Sequence, residues 1–147
     1  MAVTSYWYVN GMKNLVNGTT PLGGTNSFKV ALLNSNYALT TAKLQADTAL
    51  TSVSASQITG TNYTAGGMNL SLAAATTAAG DVIIGPSVAN TSWTSASFTA
   101  RYAVIYHVAN NWLLGVVDFG QDETCSNGSF TIDWNNIAIF KITPAGI

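Results

Sequence analysis

In this chain of 147 residues, charged side chains make up only 7%, against about 25% in an ordinary soluble domain. Its five Lys and Arg (Lys13, Lys29, Lys43, Arg101, Lys141) form no run, and the net charge is −1. Phosphate backbones require clustered cations, so nucleic acid is excluded as an expected partner. Hydrophobic residues at 48% argue against disorder, and no apolar run reaches the ~20 residues of a membrane-spanning helix.

The length fits one domain, 1–147, with a buried core. The opening MAVTSYWYVNG has no basic stretch ahead of an apolar run, so a secretory signal is not expected. After the aromatic trio Tyr6, Trp7 and Tyr8, apolar residues fall at Val9, Met12, Leu15 and Val16. That spacing predicts a short helix with one apolar face, closed by Asn17-Gly18. Residues 1–18 are therefore read as an N-terminal arm with a helix. The Pro and Gly of 19–26 predict a loop.

Residues 28–33, FKVALL, predict a strand. Residues 38–57 mix Leu39, Leu44, Leu50 and Val53 with many Thr and Ser, and predict a loop with one helical turn. Gly66-Gly67 predicts a turn or bulge before MNLSLA, and 81–84 a short strand. A strand around Trp93 precedes FTARYAVIYHV (98–108). Its alternation puts Ala103, Ile105 and His107 on one face and Tyr102, Val104, Tyr106 and Val108 on the other. Asn110-Asn111 predicts a hairpin into WLLGVVDFG. Asn127-Gly128 predicts a second hairpin and Asn135-Asn136 a third turn. Strands and turns at these intervals predict a mainly β fold, an antiparallel β-sandwich of jelly-roll-like form with a short N-terminal helix.

Candidate chemistry is sparse. His107 has no second His to share a metal or a proton relay, and reads as structural. No Ser sits in a Gly-x-Ser-x-Gly elbow, and no Lys-Ser pair follows the glycines as a phosphate loop demands. Asp118, Asp122, Glu123 and Asp133 form one acidic constellation, but not at the spacing of a calcium loop. Cys125, the only cysteine, lies beside acidic residues and reads as a partly buried strand residue. Five Asn-x-Ser/Thr sequons (Asn17, Asn62, Asn69, Asn90, Asn127) read as chance in a chain rich in Asn and Thr. No catalytic residue, metal or cofactor is expected. Three adjacent aromatics cannot all face one interior, so Tyr6, Trp7 and Tyr8 are the candidate interface residues.

TGTNYTAGGMNL (59–70), FTARYAVIYHV (98–108) and LLGVVDFGQDETCSNGSFTIDW (113–134) resemble a family of small structural proteins of tailed bacteriophages and prophages. The resemblance covers most of the chain, including the N-terminal helix and a strand like FKVALLNSNY (28–37). Residues 71–90, unusually rich in Ala and Thr, depart from it. It implies a virion component made in the host bacterial cytoplasm, with no catalytic residues to transfer. A surface so poor in charge fits a protein packed against neighbours. The leading expectation is a capsid decoration or cement protein, a homo-oligomer that binds the major capsid protein or other virion proteins. A tail, neck or fibre component is the alternative, as is a carbohydrate-binding module on the virion.

Overall fold

The structure, a computed structural model, describes residues 3–20, 27–72, 76–84, 90–134 and 140–143. The elements run β1 (Thr4–Trp7), α1 (Val9–Val16), β2 (Phe28–Leu33), a 3-10 turn (Ser35–Tyr37), α2 (Thr41–Ala46), α3 (Leu50–Val53) and a second 3-10 turn (Ser54–Ser56). Then follow β3 (Met68–Leu70), β4 (Thr76–Ala78), β5 (Asp81–Ile84), β6 (Thr91–His107), β7 (Leu113–Ile132) and β8 (Phe140–Ile142). Five strands form an antiparallel sheet in the order β1-β7-β6-β2-β3, and β4-β5-β8 form a second, three-stranded antiparallel sheet. The mainly β, sandwich-like fold expected from the turn spacing is what the chain adopts.

The alternation along β2 and β6 explains how the large sheet is buried on both sides. Phe28, Val30, Leu32, Ala103 and Ile105 face one cluster, with Leu114 and Val117 of β7. Ala31, Leu33, Tyr102, Val104 and Tyr106 face the other, with Leu113 and Val116. The second cluster is covered by Tyr8, Tyr37 and Val53, with Leu39, Leu44 and Leu50 half-buried at its border. Segment 38–57 is thus more helical than the single turn expected. Its leucines need only a turn or two each to reach the sheet, and Thr40 accepts a hydrogen bond from the Lys43 amide to start α2.

The Gly66-Gly67 turn is present, and it locks against β2. Gly67 has φ +76°, and a Cβ there would overlap the Val30 carbonyl oxygen. Tyr106 donates from its hydroxyl to the Gly66 carbonyl at 2.7 Å. Beyond the end of β3, the Leu32 amide donates to the Tyr63 hydroxyl at 2.9 Å, so a side chain completes that edge of β2.

The hairpin at Asn110-Asn111 forms as expected, with Asn111 at φ 56° and the His107 amide bonded to the Trp112 carbonyl. The hairpin expected at Asn127-Gly128 does not form. β7 runs straight through it, paired to β6 from Leu113 to Ile132. Between the Trp93–Phe130 and Ala96–Gly128 pairs, β6 takes three steps against two on β7, with Ser95 at φ 48°. Between Ala96–Gly128 and Phe98–Cys125, β7 takes three steps against two, with Asn127 at φ 47°. These are paired β-bulges, one on each strand, which restore the register and bend the ribbon. A third, wider bulge of β7 at 119–122 inserts Phe119 into the first cluster.

Within the N-terminal segment, Thr4–Trp7 is an edge strand of the large sheet, and α1 follows it. β1 pairs with β7 from Thr4 opposite Asp118 to Trp7 opposite Gly115. The expected turn at Asn135-Asn136 and most of the 19–26 loop lie outside the described residues.

Candidate docking surface

The N-terminal trio separates into three environments. Tyr8 is fully buried in the second cluster, and its hydroxyl donates to the Tyr37 hydroxyl at 2.8 Å. Tyr37 in turn donates to Asp47 at 2.7 Å. Burial pushes both phenols well above their ordinary pKa, Tyr37 further because it stands between Tyr8 and the carboxylate. The expectation of an interface role is therefore corrected at Tyr8, whose hydroxyl and ring both belong to the core. Trp7 is half-buried against the first cluster. Tyr6, 40% exposed, lines a shallow groove of about 250 Å³ with Leu39, Thr40, Thr41, Leu44 and Asp118. The trio alternates because β1 is a strand, and successive side chains leave its opposite faces.

α1 forms where the sequence places it, but rotated from expectation. Its inward residues are Gly11 and Asn14, with Leu15 packed against the first cluster. Val9, Met12 and Val16 point to solvent, 55%, 37% and 78% exposed. The cause is the closeness of the helix to β7. A Cβ on Gly11 would lie 2.5 Å from the Leu113 carbonyl oxygen and 2.7 Å from the Leu114 Cα, so only glycine permits this approach. The Tyr8 amide bonds to the Leu114 carbonyl and ties the start of the helix to β7, while the Thr19 and Thr20 amides bond to the Asn14 carbonyl and close its last turn. Val9, Met12 and Val16, at i, i+3 and i+7, make one unpartnered apolar row with Lys13 beside it. Gly11, in the helix interior, is the sequence signal that could have revealed this orientation.

A second feature lies at the other end of β1. Val3, Phe119, Cys125, Phe130 and Ile132 line a groove of about 340 Å³, with Glu123, Ser129 and other polar residues at its rim. Phe119, Cys125, Phe130 and Ile132 are buried floor, and Val3 is an exposed wall. Sequence reasoning missed this groove because the wide β7 bulge that creates it has no local signature beyond Gly120. Along the same ribbon the outer face carries hydroxyl pairs, Ser92 with Thr131 at 2.6 Å and Thr99 with Thr124 at 2.8 Å.

The acidic constellation is dispersed. Asp118 accepts from Arg101 Nε at 2.9 Å and from the Gly120 amide at 2.7 Å. Glu123 accepts from the Gln121 side chain. Among the described residues no three His, Cys, Asp or Glu side chains gather around a possible metal position. His107 packs edge-on against Phe28 and shares a hydrogen bond with Asn110. Cys125 is buried, with its thiol near the Phe98 carbonyl. All four Trp side chains are buried or half-buried, Trp93 and Trp134 almost completely. No helix among the described residues is long and apolar enough to cross a membrane. No family model, curated protein or solved structure matches the chain.

Proposed function

We propose that this chain is a structural component of a tailed-phage particle, acting through contact surfaces rather than catalysis. Its leading placement is capsid decoration, as a cement protein bound to the major capsid protein. One observation carries the reading: the row Val9, Met12 and Val16 is left in water by a helix whose N-terminal end is bonded to β7 and whose Gly11 lies against the β7 backbone. A chain with 7% charge offers little to offset such a row in solution. Burial against a neighbour removes it from water, and repetition over a shell multiplies weak individual contacts. The resemblance of 59–70, 98–108 and 113–134 to small phage structural proteins supports a virion component, head and tail alike. The carbohydrate-binding alternative is less well supported, because the four Trp side chains offer no fully exposed ring for a sugar to stack on.

The test is quantitative mass spectrometry of purified particles, paired with an electron-microscopy map. Copies distributed over the whole shell support decoration. Copies confined to one vertex or to the tail place the protein in the neck or tail instead. Particles that form without the chain and never contain it overturn the proposal.

A further inference from the structure

The apolar row of α1 and the groove beside Phe119 have complementary character, yet they cannot meet within one molecule. Val3, at the groove, and Val9, at the start of the row, are separated by β1, about 13 Å of extended chain. Gly11 lies against the Leu113–Leu114 backbone and the Tyr8 amide bonds to the Leu114 carbonyl, so moving the helix to the groove would break both contacts. The groove has a mixed lining, in which Phe119, Phe130 and Ile132 supply apolar surface and Thr124, Thr131 and the carboxylate of Glu123 supply polar surface. The row has Val9, Met12 and Val16 and a single cation, Lys13.

We propose that α1 of one copy docks in the Phe119–Phe130 groove of a second copy, with Lys13 facing Glu123. The inference rests on the contact-based reading above and names the partner of that surface as this same chain. The alternative of two α1 helices packed across a two-fold axis sets Lys13 near its own copy, a like-charge pairing that the groove avoids. Filling about 340 Å³ displaces on the order of ten waters from the groove, part of them from the surface of Phe119, Phe130 and Ile132. Two different patches make the contact, so it is head-to-tail. Such contacts close into a ring when the rotation between copies permits, and otherwise extend as a filament. The charged pair sits at the rim, where it governs orientation and encounter more than affinity.

The test is native mass spectrometry with sedimentation velocity over a concentration series of the full chain. The parent is expected to form species larger than a monomer. Met12→Asp removes the row and Ser129→Arg obstructs the groove; both positions are exposed, and each variant alone is expected to be monomeric with an unchanged circular dichroism spectrum. Val16→Asp, at the most exposed position of the row, serves if Met12→Asp folds poorly. Mixing Met12→Asp with Ser129→Arg is expected to yield a one-to-one dimer and nothing larger, since one intact row and one intact groove remain. Lys13→Glu should weaken assembly about tenfold, and adding Glu123→Lys should recover it. A parent that stays monomeric to its solubility limit overturns the inference, as does a Ser129→Arg variant that still pairs with itself. A monomer in solution that is nevertheless present in particles defeats this contact alone. A chain that assembles in solution yet is missing from particles defeats the virion reading alone.

Discussion

In its proximal half, 102–107 against 113–117, the β6–β7 ribbon is buried on both faces and flanked by β2 and β1. In its distal half, 91–100 against 123–132, one face lies in the first cluster, and the other carries Ser and Thr in contact with water. The proximal half holds together because side chains leaving either face of the sheet enter a packed cluster. The distal half is a two-stranded ribbon, marginal in isolation. It depends on Trp93, Phe98 and Phe130, whose rings meet edge-on or tilted with centroids 5.2 to 6.1 Å apart. The lesson is a division of labour: stability concentrates where both faces are covered, and accessible surface concentrates where one is not.

The largest expected effect breaks the proximal half by pH. Burial raises the pKa of Tyr8, Tyr37, Tyr63 and Tyr106, all of which pack around that half or its β2 flank. In the unfolded chain these phenols ionise near pH 10, so above that pH the unfolded state binds fewer protons than the native one. Stability is therefore complete below about pH 10 and falls as the pH rises further, by up to about 1.4 kcal/mol per pH unit for each phenol. Phenolate absorbance and circular dichroism should change together in an alkaline titration. If Tyr8 and Tyr37 titrate near pH 10 with the fold intact, the second cluster is open to water. The next effect compares the halves directly. Ile105→Ala, at a fully buried proximal position, should cost about 4 kcal/mol in urea unfolding. Ile132→Ala, at the distal end, should cost about 2 kcal/mol, because a ribbon covered on one face can close around the void. Equal losses would erase the distinction between the halves.

The same division explains what could be read in advance. FKVALL and ARYAVIYHV were legible because a period of two with apolar residues on both faces specifies a central strand and its register. Asn127-Gly128 misled for a physical reason. A left-handed residue suits a hairpin turn and a bulge equally, and the choice depends on whether Ala96 and Phe98 stand opposite, which is a long-range fact. α1 misled in another way. Its apolar spacing is real, but the inward face was decided by how closely the backbone of β7 approaches Gly11. Among the trio, separation of the three rings was legible and the particular fate of Tyr8 was not, since its partner Tyr37 lies 29 residues away.

The smallest effect tests what the hydroxyl face of the distal half is for. Thr99 and Thr124 stand opposite each other, and their hydroxyls share a hydrogen bond in an exposed position. Cross-strand pairs of this kind contribute about 0.2–1 kcal/mol, so Thr99→Ala should lower stability by about 0.5 kcal/mol. Replacing both by Val keeps the β-branched shape, removes only the hydroxyls and should leave Tm almost unchanged. If the uncharged face exists for contact, that double variant folds normally yet loses occupancy on particles, because the partner's polar groups then meet methyls. A large fall in Tm would instead place the hydroxyl pair among the forces holding the ribbon together. The outer face would then be explained by folding alone, and the exposed row of α1 would remain as the surface that calls for a partner.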